Sequence, residues 1–135
     1  IVFTNGCFDL LHYGHITYLK AAKKLGDFLV IGLNSDASCK RLKGRTRPFN
    51  QQTHRSQLLM ALDCVDAVIV FEEDTPLKLI QKIAPNVLVK GGDYNKKDIV
   101  GHDFVTQTGG IVHILSFVDG LSTTQLAEKI KADVT

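Results

Sequence analysis

Short apolar runs alternate along this chain with segments of helical period, and no other feature constrains its fold as strongly. Each run is rich in β-branched residues and lacks strict apolar/polar alternation. Continuous apolar runs of this kind are typical of parallel strands that helices cover on both faces. The runs are Ile1 to Phe3, Phe28 to Leu33, Ala67 to Phe71, Val87 to Val89 and Ile111 to Leu115.

Between these runs, apolar residues recur with the spacing of a helix, most clearly at residues 16–25, 58–65 and 77–84. The order of strand, helix, strand predicts an α/β fold with a five-stranded parallel sheet and right-handed crossovers. We expect a three-layer, Rossmann-like architecture with the strand order 3-2-1-4-5. In such folds ligands bind beyond the carboxyl ends of the strands, so the loops that follow strands are the candidate sites.

The composition fits one globular domain, residues 1–135. It is 44% hydrophobic and 22% charged, which excludes a disordered or collagen-like chain. Three cysteines without paired spacing favour free thiols and a cytoplasmic location. The sequence has no apolar run of membrane-spanning length and no signal-peptide pattern. Because Ile1 already lies in an apolar run, we expect the natural chain to begin upstream.

The segment between the first strand and the first helix carries the strongest chemical signal. His12 and His15 flank Gly14, which allows close approach of the backbone to a ligand. The free N–H groups of a helix start favour an anion, and two imidazole donors there suit phosphoryl or nucleotidyl transfer. The alternatives are a simple helix cap and a zinc site with Cys7 and Asp9. Zinc is disfavoured because no second Cys/His cluster would complete the site.

Two further loops suit phosphate binding. Gly120 to Thr124 opens the last helix with more hydroxyl groups than an N-cap needs. Lys90 to Tyr94 follows the fourth strand, although a simple turn would also explain its glycines. In the predicted strand order this loop would face the histidines, so that Lys90 could contact a phosphate and Asp93 a ribose, a base or a metal ion.

Basic side chains are concentrated between Lys40 and Arg55, where the sequence has no acidic residue. Such a run is typical of a solvated loop, but it also suits an anionic ligand. Binding of nucleic acid is disfavoured because aromatic residues are few and the net charge is only +2.

Together these segments resemble the cytidylyltransferase-like nucleotidyltransferases, which are recognised by a His-x-Gly-His loop and a Ser-Thr-Thr helix start. Within that superfamily the chain is most similar to the adenylyltransferase domains of bacterial ADP-heptose synthases, over nearly its whole length. The segments that carry this likeness are Thr4 to Asp9, Leu33 to Ser38, Lys40 to Gly44, Arg47-Pro48, Phe71 to Pro76, Val89 to Tyr94 and Gly120 to Thr124.

The resemblance implies a fold of the HxGH nucleotidyltransferase type and transfer of AMP from ATP to D-glycero-β-D-manno-heptose 1-phosphate, a step toward the inner core of lipopolysaccharide. The acceptor phosphate would attack the α-phosphorus in line, and Mg²⁺ carried by the triphosphate would neutralise charge without a metal site in the protein. A sugar kinase, fused or separate, and a homodimer are the expected partners.

The residues themselves do not separate adenine from cytosine. A CTP-dependent enzyme acting on glycerol 3-phosphate, or on another phosphorylated or phosphonate acceptor, therefore stays open. So does a non-catalytic nucleotide-binding module on the same fold.

By the same resemblance, His12, His15 and Lys43 are the expected catalytic residues. The expected nucleotide-binding residues are Asn5, Gly6, Cys7, Phe8, Gly14, Arg55, Lys90, Gly92, Asp93, Tyr94, Ser122, Thr123 and Thr124. Lys43 and Arg55 would neutralise the triphosphate. Arg45 and Arg47 make the loop more basic than a nucleotide requires, so they could serve the phosphate of the acceptor.

Overall fold

A computed structural model describes residues 1–116 and 122–134, and its strands form one parallel sheet in the order β3-β2-β1-β4-β5. This confirms the predicted α/β fold and strand order. The strands are β1 (Val2–Gly6), β2 (Leu29–Asn34), β3 (Ala67–Phe71), β4 (Val87–Gly91) and β5 (Ile111–Leu115). The helices are α1 (Tyr13–Lys23), α2 (Asp36–Lys43), α3 (Gln52–Met60), α4 (Leu77–Ile83), α5 (His102–Gln107) and α6 (Thr123–Val134), with a 3₁₀ turn at Lys96–Asp98.

The sheet has a hydrophobic core on each face, because successive residues of a strand point to opposite sides. One core contains Val2, Leu29, Ile31 and Val89 of the sheet together with Leu19 of α1 and Leu59 of α3. The other contains Phe3, Val30, Leu88 and Val112 together with Ile80 of α4 and Val105 of α5. Burial on both faces explains why the strand sequences are apolar without alternation.

The predicted helical segment at residues 58–65 is wrong in its bounds. Helix α3 begins at Gln52 and ends at Met60, and Leu58 is 46% exposed while Leu59 is buried. The apolar residues beyond the helix, Leu62 and Val65, pack against the core from the connection to β3. Their burial in an irregular segment therefore produced an apolar spacing that resembled a continued helix.

The β3 edge of the sheet is only partly covered. Ile69 and Val70 are 39% and 37% exposed, and Leu58 and Met60 of the adjacent helix α3 are also exposed. We call these four side chains the α3–β3 surface. Within residues 1–116 and 122–134, no helix is long and apolar enough to cross a membrane.

Candidate active site

Helix α1 begins with a reciprocal cap formed by two histidines. Nδ1 of His12 accepts a hydrogen bond from the Gly14 N–H at 3.1 Å, and Nδ1 of His15 accepts one from the His12 N–H at 3.3 Å. Because Nδ1 of each ring is an acceptor, a neutral ring must carry its proton on Nε2. The cap therefore fixes the tautomer and leaves both Nε2–H groups as donors for another partner.

The Nε2 atom of His12 lacks such a partner. It is buried, and it makes no hydrogen bond within the part of the chain that the structure describes. The His12 and His15 rings stack with their centroids 3.9 Å apart. An unsatisfied buried donor costs about 1–3 kcal/mol, which a ligand oxygen would recover. The two histidines therefore do form a helix cap, but the cap uses only their Nδ1 atoms and leaves Nε2 of His12 without a partner.

The environment of both rings favours the neutral form. Burial lowers the pKa of His12. Burial, followed by repulsion from His12 and Lys43, lowers the pKa of His15 to about 4, although Asp9 opposes this shift. Near neutral pH both histidines are thus hydrogen-bond donors without a charge of their own.

We expect His15 to stay neutral at pH 5.5. Its pKa is lower in the folded chain than in the unfolded one, so the unfolded chain binds the proton first as the pH falls. The stability that this difference provides is present above about pH 6.5 and is lost as the pH falls toward 4. Nitrogen NMR shifts during a pH titration would show an Nε2–H tautomer at pH 5.5. A midpoint for His15 near 6.5 would contradict the prediction.

The loop between β1 and α1 is strained at two positions. Phe8 and Leu10 have φ angles of 47° and 48°, in the left-handed region that residues with a side chain rarely adopt. Each such residue costs on the order of 1–3 kcal/mol and persists only when the surroundings enforce it. In this strained conformation, Cys7, Phe8 and Asp9 line one small cavity, which is described below.

Asp9 holds three segments of the site together. Its buried carboxylate accepts hydrogen bonds from the N–H groups of Phe49, at 2.6 Å, and Asn50, at 3.0 Å. Its carbonyl oxygen accepts one from the hydroxyl of Thr123. Asp9 thereby connects the loop before α1 with the segment at Phe49 and Asn50 and with the start of α6. Sequence reasoning considered Asp9 only as a zinc ligand, because no local pattern pairs it with residues forty positions away.

Arg55 is not placed where the sequence interpretation expected it. The side chain is fully buried, and its guanidinium donates to the carbonyls of Asn50, Cys7 and Asn34 at 2.9, 2.7 and 2.9 Å. It also forms an ion pair with Asp36 at 2.8 Å. Its donors are thus committed to the protein, and the expected direct contact with a triphosphate is not supported by this arrangement. Arg55 instead fixes the backbone beneath the site.

A cavity of about 300 Å³ opens at the carboxyl ends of β1 and β4. The two strand ends contribute Asn5, Gly6 and Lys90, while Lys43 comes from α2 and Tyr94 from the loop after β4. This volume and the mixed apolar and polar lining suit a nucleoside. The sequence prediction that the β4 loop approaches the β1 loop is consistent with this lining.

Two lysines and two aspartates line this cavity, and one of the aspartates, Asp74, is paired with Arg41. Burial, and then repulsion from Lys43, lowers the pKa of Lys90, whose Nζ lies 5.4 Å from the ring centroid of Tyr94. The repulsion between Lys43 and Lys90 favours binding of an anionic group beside them. Sequence reasoning did not single out Asp74, Pro76 and Ile99 as site residues, although they also line the cavity.

A smaller cavity of about 70 Å³ adjoins this lysine-lined region. It is lined by His15, Lys43, Arg47 and Thr123, among others, and shares Lys43 and Cys7 with the larger cavity. Arg47 lies over the ring of Phe49 at 4.5 Å and donates to the Thr124 hydroxyl at 3.5 Å. The lining combines two cations with a neutral imidazole and a hydroxyl, which is a set of groups that suits phosphate oxygens.

The hydroxyls at the start of α6 have separate roles in the structure. The Ser122 hydroxyl accepts from the Gln125 N–H at 3.0 Å, as an N-cap does, and the Thr123 hydroxyl donates to Asp9. Gly120 and Leu121 of the same motif lie outside the described residues. Seven of the predicted site residues line neither cavity: His12, Gly14, Arg55, Gly92, Asp93, Ser122 and Thr124.

The described residues contain no group of three or more His, Cys, Asp or Glu side chains that could hold a metal ion. Two acids, Asp74 and Asp98, line the larger cavity, and Asp74 already pairs with Arg41 at 2.8 Å. Such a lining suits a magnesium ion held chiefly by substrate phosphates.

Comparison with known proteins agrees with this architecture. A family model described as cytidylyltransferase-like matches residues 3–128. The chain is 56% identical over 130 residues to the bifunctional protein HldE of Citrifermentans bemidjiense and 58% identical to that of Geobacter metallireducens. The alignments cover 96% of this chain but only 27% and 26% of those proteins. The chain thus spans a small part of the relatives it matches.

Two solved structures are also similar. A lipopolysaccharide core biosynthesis protein from Thermoplasma volcanium aligns with a TM-score of 0.70 and 31% identity, covering 87% of this chain and 94% of that one. Pantothenate synthetase from Thermus thermophilus aligns with a TM-score of 0.56 and 13% identity over 94% of this chain and 63% of its own, a likeness of fold alone.

Proposed function

This chain belongs to the cytidylyltransferase-like family, and from that premise we propose that it transfers AMP from ATP to D-glycero-β-D-manno-heptose 1-phosphate. A phosphate oxygen of the acceptor forms a bond to the α-phosphorus. The bond from that phosphorus to the bridging oxygen of the β-phosphate breaks, and pyrophosphate leaves. The observation that carries the proposal is the buried, unpartnered Nε2 donor of His12 beside His15 at a helix start.

The paired histidines suit the charge changes of this reaction. Negative charge grows on the oxygens around the α-phosphorus and on the departing pyrophosphate as the transition state forms. The Nε2–H groups of His12 and His15 donate to these oxygens, and their tautomers are already fixed by the cap. Donors oriented before the reaction need no reorganisation during it, which is the main source of catalysis in such sites. The acceptor phosphate is itself an anion, so no basic side chain is required to activate it.

The two cavities suggest how the substrates lie. The nucleoside occupies the larger cavity between the β1 and β4 ends, with Lys90 and Tyr94 beside it. Lys43 lines both cavities, so it is placed to hold the phosphate chain that passes from one to the other. Arg47, beyond Lys43 in the smaller cavity, is the cation that we assign to the acceptor phosphate. Magnesium bound to the triphosphate supplies further neutralisation of charge.

The proposed partners follow from the substrates. A sugar kinase, fused or separate, would supply the sugar 1-phosphate, and the relatives named bifunctional are nearly four times as long as the matched segment. The product would serve lipopolysaccharide synthesis, and we propose a cytoplasmic location for the reaction. The exposed apolar side chains of the α3–β3 surface favour a homodimer through that edge.

Pyrophosphate release tests the substrates directly. The purified protein with Mg²⁺ would receive ATP or CTP, each with heptose 1-phosphate or glycerol 3-phosphate. We expect release with ATP and the heptose phosphate at a rate at least about tenfold above the other three combinations.

Release with CTP and glycerol phosphate would keep the chemistry but overturn the proposed substrates. If all four combinations are silent while ATP still binds, the alternative of a binding module or another acceptor is favoured. This test measures only which substrates are used, so its result does not depend on which residues are catalytic.

A further inference from the structure

Two of the three cysteines meet at the edge of the candidate site. Cys7 follows β1 and Cys39 lies in α2, which follows the neighbouring strand β2. Both side chains line the smaller cavity. Cys7 also lines the larger cavity, whereas Cys39 is completely buried behind it. A small solute entering the nucleotide cavity therefore meets Cys7 first.

The surroundings of the pair favour a thiolate on Cys7. The hydrogen bond from Cys39 is the main cause, and Lys43 and Arg55 add positive charge, so the pKa of Cys7 is lowered to about 7 despite burial and the nearby Asp9. Nη1 of Arg55 lies 3.4 Å from Sγ of Cys39 and donates to the Cys7 carbonyl at 2.7 Å. The hydrogen bond to Cys7, and then burial, raises the pKa of Cys39. Cys7 is thus the thiol that reacts first as a thiolate, and Cys39 keeps its proton until the second step.

The geometry points to a peroxide-sensitive thiol pair in which Cys7 is oxidised first and Cys39 then closes an intramolecular disulfide. In the first step the Cys7 thiolate attacks hydrogen peroxide, a sulfur–oxygen bond forms, the O–O bond breaks and hydroxide leaves. In the second step the Cys39 sulfur attacks the Cys7 sulfur, and the hydroxyl leaves with the Cys39 proton as water. Overall, two thiols and one peroxide give one disulfide and two waters.

The pair is placed where oxidation and nucleotide binding compete. A nucleotide in the larger cavity covers Cys7. A disulfide would in turn tie the β1 loop to α2, on which Cys39 and Lys43 lie one turn apart on the same face. We therefore expect ATP to protect Cys7 and the disulfide to weaken ATP binding. This competition rests on the proposed function, whereas the oxidation itself does not.

Mass spectrometry of the whole chain tests the oxidation. The reduced protein is exposed to limiting hydrogen peroxide, the remaining thiols are alkylated under denaturing conditions, and intact masses and peptide maps are recorded. We expect a species that has lost two hydrogen atoms, carries one alkyl group on Cys64 and yields a Cys7–Cys39 linked peptide that dithiothreitol releases. Oxidation mainly at Cys64, or peroxide resistance of Cys7, would overturn the inference.

Two variants separate the roles of the thiols. Cys39→Ser should stop at the sulfenic acid of Cys7, which dimedone traps, while Cys64→Ser should form the disulfide at the rate of the parent protein. If Cys39→Ser still loses two hydrogen atoms, Cys39 is not the resolving thiol and the pairing is overturned.

A non-hydrolysable ATP analogue tests the competition. At a concentration about ten times its Kd, it should slow the oxidation of Cys7 about tenfold. If the disulfide forms but the analogue does not protect although it binds, the proposed nucleotide position fails and the thiol pair stands. If the analogue protects but only a sulfenic acid forms, the disulfide inference fails and the nucleotide position stands.

Discussion

Replacing His15 with alanine should lower kcat by about 100- to 1000-fold while the Kd for ATP changes little. The Nε2–H of His15 gains strength as a donor only when charge develops on the reacting phosphates, so its loss affects the transition state more than bound ATP. Steady-state rates of pyrophosphate release and calorimetric titration with ATP would measure the two quantities separately. Turnover within a few-fold of the parent protein would contradict a catalytic role for His15.

The exposed residue His54 on α3 provides the matched control. His54→Ala makes the same substitution away from both cavities and should leave kcat unchanged. His15→Ala also removes the acceptor of the His12 N–H, which costs on the order of 1 kcal/mol of stability. Circular dichroism of both variants should therefore show folded protein, and the loss of rate cannot then be attributed to unfolding.

Replacing Arg55 with alanine should lower the free energy of unfolding by about 3–5 kcal/mol. The change removes a fully buried cation that donates to the carbonyls of Cys7 and Asn34, and Asp36 loses its ion-pair partner. Urea unfolding followed by fluorescence or circular dichroism would measure the effect. A loss below about 1 kcal/mol, together with a raised KM for ATP, would instead favour the direct phosphate contact that the sequence interpretation assigned to Arg55.

Arg41 on α2 is the matched control for this prediction. It pairs with Asp74, but both side chains are at least half exposed, so Arg41→Ala should change the stability by less than about 1 kcal/mol. If Arg55→Ala does not fold, Arg55→Lys retains the charge but loses the planar set of donors. We expect that variant to fold with reduced stability, and parental stability would contradict the account.

The fold was predictable because the three central strands, β2, β1 and β4, are mostly buried and all five strands are rich in apolar residues. Ile111 to Leu115 was predicted as a strand with the bounds that β5 has, and the run at Ala67 to Phe71 is β3. Strands β1 and β4 extend to Gly6 and Gly91, beyond the predicted apolar runs, because glycine and polar residues form the last part of each strand. Helix α2 lacks an apolar period, since Ser38 and Cys39 are its buried residues, and it was hidden in a segment that looked like a charged loop.

The candidate site was predictable only where its residues are close in sequence. His12, Gly14 and His15 form a local pattern that predicts phosphate binding, and all three lie at the start of α1 in the structure. The roles of Asp9 and Arg55 depend on hydrogen bonds to backbone groups of distant segments, and no residue pattern encodes such partners. A basic residue in a basic segment was therefore interpreted as a phosphate ligand, whereas the Arg55 side chain is buried and donates to backbone carbonyls.

The proposed reaction requires an acceptor phosphate to attack the α-phosphorus of ATP without an adenylylated intermediate. A single turnover with heptose 1-phosphate whose phosphate oxygens carry a heavy isotope tests this step. We expect mass spectrometry to find the whole label in ADP-heptose and none in pyrophosphate, with no AMP attached to the protein. Label in pyrophosphate, or an adenylylated protein formed before acceptor is added, would contradict it.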